Sequence, residues 1–506
     1  MAVSTAENAA ARPDEPGLSD ARTELTWREV DDLLNRAVNA LLAMDLGADR
    51  RVAVYAENSA ETAIAHIAAI LAGASAVPVN FHLRAEEAAY IIADADCRLV
   101  LTGPENAERA VAAAGPGVPV VAWRAPDAPP SVRSWAGLLA AAPATEPPTD
   151  RRPLPNLLYT SGTTGRPKGT ELPPDMFAAG ADVAEYVRNL KQNPLAVIGP
   201  HLVVAPMYHT GPLSGVRALA AGTALVVMDG FDAEGVLANV QRYRAAASVM
   251  VPTHFGRLLA LPEEVRARYD TSSLLLVAHT GSMCPPDVKR AMIDWLGPVI
   301  VESYGATEAG VLTTIDSHDW LAHPGSVGRP NPRFEAVVVD DDGRPVPPGT
   351  EGRLYFRDLL GRGIVYHHAP EKSAAAHLEP GVLTAGEVGY VDDDGYVYIT
   401  DRVSDMVVTG GVNVYPAEAE MVLRAHPRVS DAACVGVPNA DLGEELRALV
   451  VPAGAELTAD ELLEFCAARL TRYKCPRGVD FVAALPRNAL GKLNKRDLRA
   501  PYWADR

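Results

Sequence analysis

Short β-branched runs alternate with helical patterns through the middle of this chain, and that alternation restricts the fold more than any other feature. Leu202-Val203-Val204, Ala224 to Val227, Ser248 to Val251 and Leu274 to Val277 have the length and composition of buried strands. Between them, Ala233 to Arg244 and Pro286 to Leu296 carry apolar residues at helical spacing. Strands alternating with helices predict a parallel α/β sheet built with right-handed crossovers. Such sheets bind ligands beyond the carboxyl ends of their strands, so the loops that follow strands are the places to look for chemistry.

The same texture begins earlier. Val30, Leu33, Leu34, Val38, Leu41 and Leu42 fall on one helical face, while Val52-Ala53-Val54 and Leu99-Val100-Leu101 read as strands. Residues up to about Asp20 read as a loose polar lead-in, and the Ala- and Pro-rich segment from about Ala112 to Pro153 as a surface excursion. A change comes near residue 400, where Gly395 to Val408 runs into Gly410-Gly411 and the elements shorten. Thr458 and Glu461 are spaced as a capping box for a helix reaching about Leu470. A boundary at about residue 402 leaves roughly 100 residues for a second domain, an ordinary domain size, and no internal repeat is visible.

Charge and cysteine usage exclude several function classes. A formal net charge of −18 argues against a broad nucleic-acid or anionic-membrane surface, because phosphate rewards basic grooves. The five cysteines are scattered and form no CxxC pair, which speaks against a disulfide framework or zinc site and for a reducing compartment. The N-terminal residues lack the pattern of a signal peptide. The most apolar stretch, Ile64 to Val79, is broken by His66, Gly73, Ser75 and Pro78 and is too short to span a bilayer. The expectation is a soluble, cytoplasmic protein.

The densest chemical signal is Tyr159-Thr160-Ser161-Gly162-Thr163-Thr164-Gly165-Arg166-Pro167-Lys168-Gly169, directly after the apolar Leu157-Leu158. Glycines let backbone N–H groups turn toward an anion, hydroxyls add donors, and Lys168 adds charge. The string is not a Walker A loop, since Pro167 precedes the lysine and no Gly-Lys-Ser/Thr follows. Further short strings follow in order. They are Pro206-Met207-Tyr208-His209-Thr210, Tyr304-Gly305-Ala306-Thr307-Glu308, Gly386-Glu387 through Asp401-Arg402, Gly410-Gly411-Val412-Asn413-Val414-Tyr415-Pro416, and Leu485 through Lys492.

With these strings in this order, nearly the whole chain resembles the adenylate-forming superfamily of acyl-CoA synthetases, nonribosomal adenylation domains and luciferases, with carboxylate–CoA ligases nearest. The resemblance implies an α/β fold, with a large N-terminal domain of layered α/β subdomains (residues 1–401), a hinge at 402–404 and a small mobile C-terminal α+β domain (405–506). It implies that Thr160, Ser161, Gly162, Thr163, Thr164, Gly165 and Lys168 cradle the ATP phosphates, that Tyr304 stacks on adenine beside Thr280, Gly281, Gly305 and Thr307, and that Glu308 holds Mg²⁺. Carboxylate and phosphate oxygens suit that hard cation. Glu387 and Arg402 would take the ribose, and Gly410 and Gly411 would let a pantetheine arm of CoA approach closely. Lys492 would enter from the small domain to bridge the acid and the α-phosphate, and Thr164, Glu308 and His209 would complete the catalytic set. His209 also fits a satisfied interior histidine, and the hinge position two residues after Arg402 is Ser404, where several branches carry Asp or Lys.

Two departures from the family pattern stand out. Ala385-Gly386-Glu387 replaces the usual Thr-Gly-Asp, moving the ribose carboxylate out by one methylene. Thr280-Gly281-Ser282-Met283 replaces Gly-Ala-Ala-Pro beside the adenine, narrowing a wall that also borders the acid pocket. That pocket is expected to include Pro212, Val251 to Phe255 and Ala278 to Met283, with His254 and His279 available to polar substituents. The leading expectation is a ligase that joins a small carboxylic acid to CoA through an acyl-adenylate. Three alternatives share the adenylation step or its binding site: a free-standing ligase loading a carrier protein, a diazotase activating nitrite for an aromatic amine, and a degenerate adenylate-binding protein.

Overall fold

The computed structural model describes residues 4–160, 167–402, 405–409, 412–414, 416–439, 442–454, 457–470, 472–487 and 493–504. The chain folds as two compact units, one made of residues 1–280, 288–311 and 364–375, the other of 281–287, 312–363 and 376–506.

The first unit contains two parallel sheets. In one, the strands run Ile300–Ala306, Leu276–His279, Ala247–Met250, His201–Val203, Leu225–Val227, Pro16–Ser19 and Glu24–Thr26 in spatial order. All neighbours are parallel until the last two, which form a hairpin. The other sheet orders Ser75–Pro78, Arg51–Tyr55, Leu99–Thr102, Val120–Ala122 and Arg133–Ser134, again all parallel. Helices Trp27–Leu42 and Ala60–Leu71 belong to one continuous core that includes Leu18, Leu225 and Val227 from the first sheet and Val52, Val54 and Leu99 from the second. The first of these helices starts where it does because Thr26 and Glu29 make a reciprocal capping box and Trp27 is buried just inside it.

Three segments differ from expectation. The lead-in before Asp20 is ordered: Ser4–Ala11 is a helix, and Pro16–Ser19 pairs with Leu225–Val227 while Leu18 is wholly buried. The Ala- and Pro-rich segment also joins the core. It supplies the last two strands of the second sheet and helix Trp135–Ala141, and it buries Trp123 edge-on against Trp135 at 6.0 Å. Two tryptophans bury enough apolar area to outweigh a run of alanines and prolines. The strand expected over Leu274 to Val277 sits two residues later, at Leu276–His279.

The second unit carries an antiparallel sheet of Phe334–Val339, Gly352–Asp358, His377–Glu379, Val382–Leu383, Glu387–Val391 and Val397–Arg402. It ends in an α+β region in which strands Val429–Asn439 and Gly443–Pro452 form a long ladder; Val407–Thr409, itself paired with Val412–Val414, and Gly478–Phe481 both pair with Gly443–Pro452. Helices Pro416–Arg424 and Ala459–Ala467 share a core with this sheet through Ala419, Leu423, Leu462 and Cys466. Thr458 caps the second of these helices at Glu461 N–H, but Glu461 turns its carboxylate to His426 and Arg428 instead of closing the box. No disulfide links any of the five cysteines. No helix among the described residues is long and apolar enough to cross a membrane.

Candidate active site

Strand Leu157–Thr160 pairs antiparallel with Lys168–Glu171, and Thr160 lies directly opposite Lys168. The residues on either side of the Gly/Thr string are therefore held against each other in a two-stranded hairpin. Ser161, Gly162, Thr163, Thr164 and Gly165 lie outside the described residues. The hairpin is clamped from outside: Tyr159 donates its hydroxyl to Asp94 at 2.6 Å, and burial followed by that carboxylate pushes the phenol pKa far up.

Residues 364–369 run alongside the second strand of the hairpin. Glu171 N–H donates to Val365 at 3.0 Å and His367 N–H to Gly169 at 2.8 Å. This places the Tyr366 ring 5.2 Å from the Lys168 ammonium and its hydroxyl 3.2 Å from Glu308 Oε1. One tyrosine thus touches both the lysine expected to meet phosphate and the expected Mg²⁺ carboxylate. Burial first, and then the Glu308 charge, push the Tyr366 pKa up, so it stays a neutral donor. No motif in the sequence pointed to Tyr366, because its partners lie 198 and 58 residues away in the chain.

Tyr304, Gly305, Thr307 and Glu308 occupy the end of strand Ile300–Ala306 and the turn after it, the carboxyl-end position expected for ligand contacts. The turn explains its glycine. A Cβ on Gly305 would fall on the carbonyl oxygen of Gly310, so no other residue fits without moving the backbone. Thr307 is tied to the neighbouring segment by Thr210, whose hydroxyl donates to it at 3.4 Å. His209 stands at the N-cap of helix Thr210–Val216, half-buried, with its ring 4.2 Å from that of Tyr208.

Thr280 follows strand Leu276–His279 and accompanies the same helix. A Cβ on Gly211 would meet the Thr280 methyl and Val249 at 3.4 Å each, and a Cβ on Gly215 would collide with the His201 ring. The helix therefore packs closely on its neighbours at these two glycines. Gly281 comes next, with φ +93°. In the second unit, Glu387 and Arg402 are cross-strand partners, and Glu387 is buried.

The two histidines expected to serve polar substituents are core residues instead. His254 stacks on Phe231 at 4.1 Å and takes the Val251 N–H on Nδ1 at 3.4 Å, and burial pushes it down to about 4. His279 is wholly buried against Phe255, with Nε2 3.6 Å from Glu302, and burial then the Lys289 charge hold it neutral. Lys289 reaches Glu302 at 2.6 Å, a buried ion pair that joins helix Pro286–Leu296 to strand Ile300–Ala306. A signal for Lys289 was present, since it lies on the apolar stripe of Met292 and Ile293.

Asp94, His367 and His368 approach closely enough for one cation, yet the His367 ring nitrogens lie 2.9 Å from Glu171 and 3.1 Å from the Arg51 guanidinium. That guanidinium opposes a metal there. Glu308, half-buried beside a neutral hydroxyl and within the same cluster as Lys168, is a carboxylate that could hold a hard cation.

Lys492, Ser404, Gly410 and Gly411 lie outside the described residues. The flanks of the Lys492 segment are fixed: Arg487 and Leu493 form an antiparallel bridge, Arg487 holds Asp431 with two bonds of 2.7 and 2.8 Å, and Lys495 reaches Glu420 at 2.9 Å.

Fold and site together define an AMP-forming ligase. The AMP-binding enzyme family profile matches residues 5–361 and the AMP-binding enzyme C-terminal domain matches 418–492, so the chain belongs to that family. It is 34% identical to a feruloyl-CoA synthase from Amycolatopsis sp, over 95% of this chain and 94% of that one. It is 33% identical to the long-chain-fatty-acid–CoA ligase FadD13 of Mycobacterium tuberculosis, over 95% and 93%. The structure of ATP-bound MatB from Rhodopseudomonas palustris superposes with a TM-score of 0.81 at 30% identity, covering 99% of each chain.

Proposed function

We propose that this protein is a carboxylate–CoA ligase acting on a small acid. The single observation that carries the site reading is the Lys168–Tyr366–Glu308 cluster, which gathers a cation, a neutral donor and a carboxylate at the base of the phosphate loop. Likeness to named CoA ligases along the whole chain supports the acceptor. Thr280 supports a small acid, since it stands in the wall expected to border the acid pocket and its methyl comes within 3.4 Å of a Cβ placed on Gly211.

In the first half-reaction an acid oxygen attacks the α-phosphorus of ATP, and pyrophosphate leaves. Lys168 and the donors of residues 160–165 hold the β- and γ-phosphates, Tyr304 carries the adenine, and Glu387 and Arg402 receive the ribose. Glu308 would hold Mg²⁺, which when bound would supply positive charge against the polyphosphate. Lys492 offsets charge developing between the acid and the α-phosphate, where losing one such group costs on the order of 10²–10³ in rate. In the second half-reaction the CoA thiol attacks the acyl carbon, a C–S bond forms, and AMP departs. Gly410 and Gly411 give the pantetheine arm room, and the small domain turns about residues 402–404 between the two steps. The test is pyrophosphate release from ATP and Mg²⁺ with an acid panel, with and without CoA. Release that depends on an acid and yields a thioester supports the proposal, whereas release with nitrite and an aromatic amine but no acid defeats it.

A further inference from the structure

Away from the nucleotide residues, the first unit encloses a cavity of about 10 Å³ lined by His66, Ile67, Asn156, Leu213, Val216 and Arg217, among others. That is space for one water-sized occupant. Arg217 is 9% exposed, and among the described residues no carboxylate pairs with it. A guanidinium does not lose its proton inside a protein, so the core holds a full positive charge there. Its neighbours are neutral: Asn156 Oδ1 at 3.4 Å and the face of Phe177 at 4.9 Å. Two further polar groups beside it lack hydrogen-bond partners, His66 Nδ1 and the Tyr186 hydroxyl. Burial, then the Arg217 charge, push His66 down to about 3, so its imidazole is neutral and offers one N–H. Burial raises the Tyr186 phenol, keeping its proton as a donor.

A water molecule would satisfy the spare hydrogen bonds but leave the charge uncompensated. A small anion does both, and an uncompensated buried charge is among the costliest defects a core can carry. We propose that this cavity binds a monatomic monovalent anion of the chloride class, held by the Arg217 guanidinium and His66 Nδ1–H. The anion would tie helix Ala60–Leu71 to helix Thr210–Val216 and the residue after it, the helix that begins beside His209. It takes no part in the adenylation chemistry.

The test uses the full-length enzyme in sodium chloride and in sodium gluconate at equal ionic strength, since gluconate is too large for the cavity. The thermal midpoint is expected to rise saturably with chloride, by about 2 °C or more, and bromide-soaked crystals should give an anomalous peak beside Arg217. Arg217→Met should remove the chloride dependence. Should that variant fail to fold, Asn156→Asp decides the matter: a carboxylate in place of the amide supplies the counter-charge, raises the midpoint without halide and abolishes the response. Equal midpoints in the two salts with no bromide peak, or an unchanged chloride response in Asn156→Asp, would overturn the proposal in favour of water alone.

Discussion

Tyr366→Phe removes one hydroxyl and leaves the ring under Lys168. The lost interaction is the bond to Glu308 at 3.2 Å, long for an O–H donor but made to a carboxylate in a half-buried setting. Hydrogen bonds to charged groups contribute about 1.5–3 kcal/mol, and the length places this one near about 1–2 kcal/mol. If Glu308 holds its position for the nucleotide through this bond, kcat/KM for ATP falls about 5- to 30-fold. Tyr366→Ala also deletes the ring 5.2 Å from the Lys168 ammonium, a cation–π contact adding about 0.5–1 kcal/mol, so the loss deepens by a further factor of about 2–5. Pyrophosphate release at varied ATP and Mg²⁺ reads both numbers, and the thermal midpoint confirms that the variants fold. A Tyr366→Phe enzyme within twofold of the parent at every Mg²⁺ concentration refutes the reasoning.

Three further outcomes are expected. Lys289→Met strands Glu302 in the core and lowers stability by about 3–5 kcal/mol, whereas Lys289→Met with Glu302→Gln recovers most of it; equal damage in single and double variants would count against a paired charge. Burial pushes His66 down to about 3 and His201 and His254 to about 4, from 6.5. With folded values below unfolded ones, the unfolded chain takes up protons first, so stability is full above about pH 6.5 and is lost progressively toward pH 4, by on the order of 3 kcal/mol per histidine. A midpoint that stays flat from pH 6.5 to 5 contradicts this. Lys492→Ala should abolish adenylate formation and spare thioester formation from a supplied acyl-adenylate, and equal loss of both half-reactions removes it from the first step.

The parallel sheet was readable because its strands are short β-branched runs, and helix Pro286–Leu296 because its pattern is strongly amphipathic. The strand Pro16–Ser19 was not, since Pro-Gly-Leu-Ser has no strand propensity and is recruited by Leu225–Val227, more than 200 residues away. The phosphate-loop string, the Tyr304–Glu308 turn and the ribose strand were visible as ordered motifs, while their spatial neighbours were not. Tyr366 acquires its position from backbone bonds to Gly169 and Glu171, and His279 is drawn into the core by Glu302 and Phe255. Tertiary pairing of that kind leaves no local period in a sequence.

Mass identification of products from ATP, Mg²⁺, CoA and a panel of aliphatic and aromatic acids tests most directly whether the chain joins a small acid to CoA through an adenylate. An acyl-CoA formed with one AMP and one pyrophosphate per turnover, and lost when the acid is omitted, is the predicted result. A diazo product from nitrite and an aromatic amine, with no thioester from any acid, would contradict it.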